Sequence, residues 1–387
     1  MSISLHRRQW LTSTGAAAAG ILFHVRRSQA AAAPPVQILE TKVISHLPDL
    51  YHGWPTVARC RDGQLLLVCS GGREAHVCPF GRVDLMRSHD QGQTWTWPEV
   101  VMDGPIDDRD AGVLETAKGS ILITTFTSLA YESSLTKAEK DGNWPADRLA
   151  RWQAAHTRVN AEQRKAALGV WMIRSTDGGV TFSGRYDSLV NSPHGPIQLA
   201  DGRLLYAGKE LWRGDNRVGV CQSTDDGQTW QWLAAIPTRA GDDHRSYHEL
   251  HAVETADQRI LVQIRNHNKA NSGETLQCES SDGGKTWSEP QSIGVWGLPS
   301  HLLRLKDGRL LMTYGHRRPP FGNQARVSAD HGRTWSEPIV VSGDGAGGDL
   351  GYPSTVQLDD GTLVSVWYEA MAGSNRAVLR QAKWRLE

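Results

Sequence analysis

The sequence predicts an all-β protein, a six-bladed β-propeller of four-stranded blades with a helical insertion in blade 2. Three observations support this prediction. A turn motif occurs five times, a hairpin pattern occurs six times, and the composition is unusual: the 387 residues include 15 Trp against 5 Phe, together with 39 Gly. Repetition at intervals of a few tens of residues is typical of repeat architectures. The excess of Trp and Gly therefore indicates a repeated element that requires both residues.

The turn motif is Ser-x-Asp-x-Gly-x-Thr-aromatic, known as the Asp box. The Ser and Asp side chains can accept hydrogen bonds from backbone N–H groups of their own turn, and Gly allows a positive φ. The aromatic residue is expected to pack beneath the turn. We assign these boxes a structural role and no catalysis. The five copies begin at Ser88, Ser175, Ser223, Ser280 and Ser328.

A short strand, a polar turn and an apolar strand precede each box, and a sixth copy follows the last box. Such alternating segments around Asp-Gly turns are hairpin signals. A hairpin followed by a box amounts to about four strands per unit, which is typical of a propeller blade. We expect residues 36–387 to form this domain, with the segment from Val36 to Ser45 supplying a strand that closes the ring and protects its edges. The six hairpins begin at Thr56, Val113, Pro196, Leu250, Leu302 and Ser354.

One interval between boxes, from Ser88 to Ser175, is much longer than the others. The extra segment spans about residues 131–168 and has a good helical composition in an otherwise β-like chain. It fits a cap that covers one blade, which we favour, or a substrate lid that carries Trp144, Arg148 or Trp152.

The first 33 residues resemble a twin-arginine export signal. Arg7 and Arg8 precede a small-residue apolar run, and the alanines Ala30 to Ala33 offer a cleavage site. We expect residues 1–33 to be a signal peptide and the protein to be periplasmic or secreted.

Charge and motif content exclude several classes of protein. The 42 Lys and Arg balance 42 Asp and Glu, whereas a nucleic-acid binder needs a cationic surplus. No stretch of about 18 apolar residues without charges predicts a membrane span. No Cys-x-x-Cys or His-x-x-x-His spacing predicts a metal site, and we expect no cofactor. We expect a monomer.

Polar, titratable residues recur where each inner strand begins, at positions where a structural strand would carry Val, Ile or Ala. Inner strands of a propeller surround one central channel, so these side chains are expected to converge. Several convergent titratable groups are better explained by a functional site than by packing. The side chains are His52, Arg109, Asp110, His194, His248, Glu249, His301 and Tyr352.

Six blades with Asp boxes resemble the sialidase (neuraminidase) superfamily over about the whole mature chain. The resemblance implies a Tyr nucleophile activated by a Glu, an Asp acid/base and three Arg that bind the substrate carboxylate. The segment GYPSTVQLDDGTLVSVWYE is similar to the family's Tyr-bearing strands, which implies Tyr352 as nucleophile and Glu369 as a buttress. The segment HELHAVETADQRILVQIRN implies Glu249 as the Tyr partner. It also implies Arg265 as one of the three Arg that bind the carboxylate, which we call the clamp Arg residues.

The third clamp Arg maps onto GHRRPP, where either Arg317 or Arg318 fits and we choose Arg318. The first does not match: where the family has Arg-Ile-Pro, this chain has His52-Gly53-Trp54-Pro55. Losing one directional Arg contact should weaken carboxylate recognition, unless His52, Arg59 or Arg109 substitutes. Trp54 then lies at the channel mouth in place of the lost motif.

The loop expected to carry the acid/base reads GGREAHVCPFGRVD from Gly71. Its titratable candidates are Glu74 and His76, and Arg73 could contact an anionic sugar.

Three functions fit these residues. We favour a sialidase-like exo-glycosidase that removes a terminal acidic sugar from glycans. A uronate-directed lyase or hydrolase could use the channel His and Tyr residues, since elimination needs a cation at the carboxylate and a group that moves protons. A non-catalytic propeller could bind carbohydrate through its tryptophans, although it would not need Tyr352, Glu249 and Arg265 together.

Overall fold

A computed structural model describes residues 31–387. All but the last three residues of the predicted export signal lie outside this range. The described chain forms six sheets, each with four antiparallel strands. The predicted six-bladed propeller with a helical insertion in blade 2 is confirmed.

The blades follow one another along the chain, and each runs outward from the channel. The first strand, β1 (Val36–Val43), belongs to the last blade. Blade 1 contains β2 (Tyr51–Arg59), β3 (Leu65–Arg73), β4 (Arg82–Ser88) and β5 (Glu99–Met102). Blade 2 contains β6 (Asp107–Glu115), β7 (Ile121–Ser128), β8 (Val170–Ser175) and β9 (Tyr186–Asp187). Blade 3 contains β10 (Ile197–Gln198), β11 (Leu204–Lys209), β12 (Val218–Ser223) and β13 (Gln231–Ala235).

The second half of the ring repeats the arrangement. Blade 4 contains β14 (Tyr247–Glu254), β15 (Ile260–Asn266), β16 (Thr275–Ser280) and β17 (Gln291–Ser292). Blade 5 contains β18 (Ser300–Arg304), β19 (Leu310–His316), β20 (Gly322–Ser328) and β21 (Ile339–Ser342). Blade 6 contains β22 (Leu350–Gln357), β23 (Leu363–Ala370) and β24 (Ala377–Leu386), and β1 is its outer strand.

The N-terminal strand closes the ring as predicted. β1 pairs antiparallel with β24, from Val36 opposite Leu386 to Val43 opposite Arg380. The outer strand of blade 6 thus comes from the start of the domain and its other three strands from the end. Closure of this kind holds the first and last strands of the propeller in one sheet.

The Asp boxes form the turn between the third and fourth strands of five blades. In blade 1, Asp90 Oδ1 accepts a 2.9 Å hydrogen bond from the N–H of Thr94, and Ser88 Oγ accepts a 2.7 Å bond from the N–H of Gly92, whose φ is 80°. The box aromatic Trp95 is buried, and its Nε1 donates to Gln381 Oε1 at 2.9 Å. The boxes therefore satisfy their own turns and join neighbouring blades, here blades 1 and 6.

The insertion between β7 and β8 forms three helices, α1 (Tyr131–Asp141), α2 (Ala146–Thr157) and α3 (Ala161–Ala166). Tyr131, Leu135 and Trp152 form a buried cluster with Cys78 and Phe80 of blade 1. Trp152 is 1% exposed. The helices therefore hold the loop that follows β3, in the manner of a cap. None of the described helices has the length and apolar character needed to cross a bilayer.

Candidate active site

A β-bulge interrupts the inner strand of four blades at the same place. The pairing register shifts between Gly53 and Thr56 in β2, and equivalent shifts occur in β6, β14 and β22. The first residue inside each bulge has a positive φ that non-glycine residues rarely adopt. Such strained residues cluster at functional sites. They are Trp54 (54°), Asp110 (50°), Glu249 (49°) and Tyr352 (52°).

Tyr352, Glu249 and Arg265 form one hydrogen-bonded group. Tyr352 Oη donates to Glu249 Oε1 at 2.5 Å, and Arg265 Nη1 donates to Glu249 Oε2 at 2.5 Å and to Tyr352 Oη at 3.3 Å. Burial, together with the charges of Glu249 and Asp110, holds the pKa of Tyr352 well above its ordinary value. Burial would also raise the pKa of Glu249, but the ion pair with Arg265 outweighs it and lowers that pKa. At neutral pH this group is a neutral phenol facing a carboxylate, the state needed for a base to activate a nucleophile.

A second guanidinium covers the nucleophile candidate. Arg317 Cζ lies 5.7 Å from the centre of the Tyr352 ring, and Arg317 donates to Leu350 O at 2.8 Å and to Tyr368 Oη at 3.2 Å. Arg318, the residue chosen from the sequence, lies instead over the half-exposed Trp296 at 5.5 Å. The structure therefore brings Arg317, the other candidate, to Tyr352.

Asp110 is the second carboxyl group at this end of the channel. It is 7% exposed and lines the same pocket as Glu249. Burial, with the charge of Glu249 adding to it, raises the pKa of Asp110 to about 7. Near neutral pH, Asp110 is therefore present in both its protonated and its ionised form.

His76 and Asp349 form a dyad beside Trp54. His76 Nδ1 lies 3.0 Å from Asp349 Oδ1 and 2.8 Å from Tyr51 Oη, and the imidazole packs edge-on against Trp54 with centroids 5.1 Å apart. Burial would raise the pKa of Asp349, but hydrogen bonds from His76 and Tyr51 outweigh it and lower that pKa. A carboxylate on one ring nitrogen orients an imidazole for proton transfer at the other.

Glu74, the other acid/base candidate in this loop, does not join the Tyr352 group. Its Oε2 accepts from Trp152 Nε1 at 3.0 Å, and its Oε1 accepts from Arg151 Nε at 2.9 Å. The sequence could not show that α2 would take this carboxylate, because the contact depends on how the insertion folds back over blade 1.

The prediction that Trp54 and Arg73 contact substrate needs correction. Trp54 is 1% exposed, beneath Arg109, whose Cζ lies 4.3 Å from its ring. Arg73 is fully buried and donates to both oxygens of Asp107 at 2.5 and 3.0 Å. Both residues are therefore internal supports. Arg109 is the member of this group with some exposure, since 11% of its side chain is accessible.

His52 and Glu369 also lie away from the channel. His52 is 3% exposed and interacts with the backbone of Leu50 and Ala377, at the contact of blades 1 and 6. Glu369 is 1% exposed and accepts from Trp367 Nε1 at 2.8 Å and Arg380 Nη1 at 3.1 Å. Alternation along a strand explains both positions, because neighbouring residues point to opposite faces. Tyr51 and Tyr368, the sequence neighbours of His52 and Glu369, face His76 and Asp349.

His194 and His301 lie in the channel, but in a different cavity from Glu249. With His251 they form a cluster whose ring centroids are 4.5 to 5.3 Å apart. The cluster lines the opposite channel opening, a cavity of about 390 Å³. Burial holds the pKa of His194 and His301 well below the ordinary value and lowers that of His251 to about 3. Within residues 31–387, no three His, Cys, Asp or Glu side chains are arranged to hold a metal ion.

His248 faces a pocket that we call the Lys209 pocket. This cavity of about 130 Å³ is bounded by Asp110, Lys209, Trp212, His248 and Glu249 among others. Burial, with the charge of Lys209 adding to it, lowers the pKa of His248 to about 4. The imidazole also packs on His267 at 4.8 Å.

Sequence reasoning missed Asp349, Asp107 and Lys209. Asp349 and Asp107 each precede a bulge residue by three positions, so extending each inner-strand segment slightly upstream would have included them. Lys209 ends the second strand of blade 3, where nothing in the residue pattern distinguishes it from an exposed lysine.

Comparisons with known proteins agree with this fold. Residues 142–365 match the family model described as a BNR repeat-like domain. A sialidase of Bacteroides fragilis is 23% identical over 317 residues, which cover 74% of this chain and 54% of the relative. The chain thus spans about half the length of that curated relative.

Two solved structures show the same fold. A protein of unknown function from Dyadobacter fermentans has a TM-score of 0.74 at 23% identity, covering 92% of this chain and 100% of that one. The intramolecular trans-sialidase from Ruminococcus gnavus has a TM-score of 0.63 at 14% identity, covering 92% and 99%.

Proposed function

This chain belongs to the BNR repeat-like family of the sialidase superfamily, and on that basis we propose that it is a retaining exo-glycosidase that removes a terminal acidic sugar from glycans. The observation that carries the proposal is the Tyr352–Glu249–Arg265 group. A buried phenol that donates a 2.5 Å hydrogen bond to a carboxylate is of little use to a binding protein. It is well suited to nucleophilic attack, because Glu249 can take the proton as the new bond forms.

In the first proposed step, Tyr352 Oη forms a bond to the anomeric carbon and its proton passes to Glu249. The glycosidic C–O bond breaks, and the leaving oxygen receives a proton from His76. In the second step His76 takes a proton from water, the water oxygen attacks the anomeric carbon, and the bond to Tyr352 breaks. Glu249 then returns its proton to Tyr352. Two displacements at one carbon retain its configuration.

Three features support His76 as the proton donor. It lies in the loop expected to hold the acid/base, its Nδ1 is oriented by Asp349 at 3.0 Å, and its Nε2 has no hydrogen-bond partner among the described residues. Glu74, by contrast, is bound to α2. Asp349 in this scheme is a positioning residue.

Arg265 and Arg317 are proposed to hold the carboxylate of the sugar. Both side chains are fixed before substrate arrives, Arg265 by Glu249 and Arg317 by Leu350 O. Planar guanidiniums held in this way favour bidentate recognition of carboxylates. The first clamp Arg is replaced by Gly53, so two cations would act where the superfamily uses three.

We also propose that the protein is a monomer exported by its twin-arginine signal, so that it would meet glycans outside the cytoplasm.

Incubation with an activated fluoro-sugar, followed by peptide mass spectrometry, tests this proposal. The expected result is a covalent adduct on Tyr352 and a product of retained configuration. Turnover without an adduct would overturn the nucleophile assignment. A rise in ultraviolet absorbance from an unsaturated uronate would instead indicate a lyase, and saccharide binding without turnover would indicate a non-catalytic propeller.

A further inference from the structure

The Lys209 pocket contains a buried ammonium group. Lys209 is 6% exposed, and its Nζ donates to the backbone oxygen of Arg245 at 2.6 Å. In the part of the chain that the structure describes, the ammonium forms no ion pair with a carboxylate. Asp243, the acidic residue that influences it, is already paired with Arg245 at 3.0 Å. An ammonium carries three donors, so part of its hydrogen-bonding capacity is unused among residues 31–387.

In mildly acidic solution, the other charges around the pocket leave a positive balance. The carboxylate of Glu249 is neutralised by Arg265 at 2.5 Å. Asp110, with a pKa raised by burial to about 7, is largely protonated in mildly acidic solution. His248 stays neutral there because burial lowers its pKa to about 4. Lys209 keeps its proton there as well, because its pKa lies above that pH even though burial lowers it to about 8.

The rim of the pocket suits a sugar ring. Trp212 is 49% exposed, has a φ of 66° and lines the pocket. An exposed indole offers a flat apolar face to the C–H groups of a pyranose. Phe126 lies in the same wall.

We propose that the Lys209 pocket is an anion subsite, which binds a sulfate or carboxylate group of the glycan while Trp212 packs against the sugar that carries it. This group is a second acidic group, separate from the one held by Arg265 and Arg317. The proposal rests on the proposed function only in taking a glycan as the ligand. It makes Lys209 a specificity-determining residue, and the preferred substrate a glycan with more than one acidic group.

Binding can be measured by calorimetry in the Tyr352→Phe background, which prevents turnover. The probes are two pairs that differ by a second acidic group: a uronate–N-acetylhexosamine disaccharide with and without a sulfate ester, and disialyllactose beside sialyllactose. In at least one pair, we expect the probe with the second acidic group to bind more tightly than its counterpart. Lys209→Met should reduce that preference by about 10- to 100-fold, the usual effect of losing a hydrogen bond to a charged group. Lys209→Arg should retain much of it.

Lys306→Met is the matched control, because Lys306 is an exposed lysine paired with Asp359 at the other channel opening. It should leave every affinity unchanged. A response of the sulfated pair to Lys209→Met identifies a sulfate ligand, and a response of the disialyllactose pair identifies a carboxylate. If Lys209→Met leaves the preference for the second acidic group intact, or if neither pair shows such a preference, the proposal fails. An adduct on Tyr352 in that case would still support the glycosidase.

Discussion

Tyr352 Oη donates a 2.5 Å hydrogen bond to Glu249 Oε1 across the channel, and the two residues share a positive φ of 52° and 49°. They lie at equivalent bulges on the inner strands of blades 6 and 4. The same bulge therefore aims the nucleophile candidate and the base candidate at each other. A backbone strain that costs about 1–3 kcal/mol per residue persists here because the surrounding sheets hold it.

Tyr352→Phe should abolish turnover with little effect on folding. Loss of the hydroxyl removes the attacking oxygen, so kcat should fall by at least about 10³-fold on the scale of general acid–base and nucleophilic contributions. Steady-state kinetics with an aryl glycoside measure this. Tyr314→Phe is the control, since Tyr314 is a buried tyrosine of blade 5 that bonds to Gln324 at 2.9 Å. Equal losses in both variants would argue against a chemical role for Tyr352.

Arg265→Met should destabilise the fold far more than the change in size explains. The variant leaves the carboxylate of Glu249, whose side chain is 17% exposed, without its cation, and breaking a buried pair costs about 3–5 kcal/mol. Urea unfolding measures the free energy. Adding Glu249→Gln to Arg265→Met should recover part of the loss, because the amide carries no charge. Additive effects of the two substitutions would contradict the coupling.

His76→Gln should lower kcat more for substrates with a poor leaving group than for substrates with a good one. A methyl glycoside needs a proton on its leaving oxygen, and its kcat should fall by about 10²- to 10⁴-fold. A 4-nitrophenyl glycoside leaves without such help and should lose much less. Asp349→Asn should follow the same order with smaller losses, since it removes the charge that orients the ring. A loss independent of the leaving group would exclude His76 as the proton donor.

His251→Gln should make stability less sensitive to acid. Burial lowers the pKa of His251 in the folded protein to about 3, whereas in the unfolded chain the pKa is about 6.5. On acidification the unfolded chain therefore binds a proton that the folded chain does not bind. This histidine therefore destabilises the fold progressively below about pH 6.5. Relative to the native protein, the variant should gain about 2 kcal/mol between pH 7.5 and pH 5.

Urea titrations at several pH values provide the measurement for His251→Gln. Glutamine can still accept the 2.9 Å bond that Nδ1 receives from the N–H of Leu302. His89→Gln on the exposed surface serves as the control. A constant difference between His251→Gln and the native protein at every pH would show that His251 does not titrate on unfolding.

Local rules explain why the ring was predictable. Each Asp box satisfies its turn with its own Ser and Asp, as Asp90 does with Thr94, so the residues that form it are close in sequence. The hairpins depend on alternation and turn residues in the same way. Tyr352, Glu249 and Asp110 were recognisable for a related reason, since polar residues at inner-strand starts violate the expected pattern. What the pattern could not show was the bulge that points them at each other.

Long-range contacts decided the rest. Glu74 is bound by α2, and Arg73 is paired with Asp107. Arg317, and not Arg318, lies over Tyr352. Asp349 of blade 6 orients His76. The sequence by itself determined a six-bladed propeller and which strands meet at its channel, because those features depend on short-range turns and period-two alternation. The partner of each charged side chain was decided only by tertiary structure, because a buried charge pairs with whatever group the packing of separate blades brings within a few ångströms.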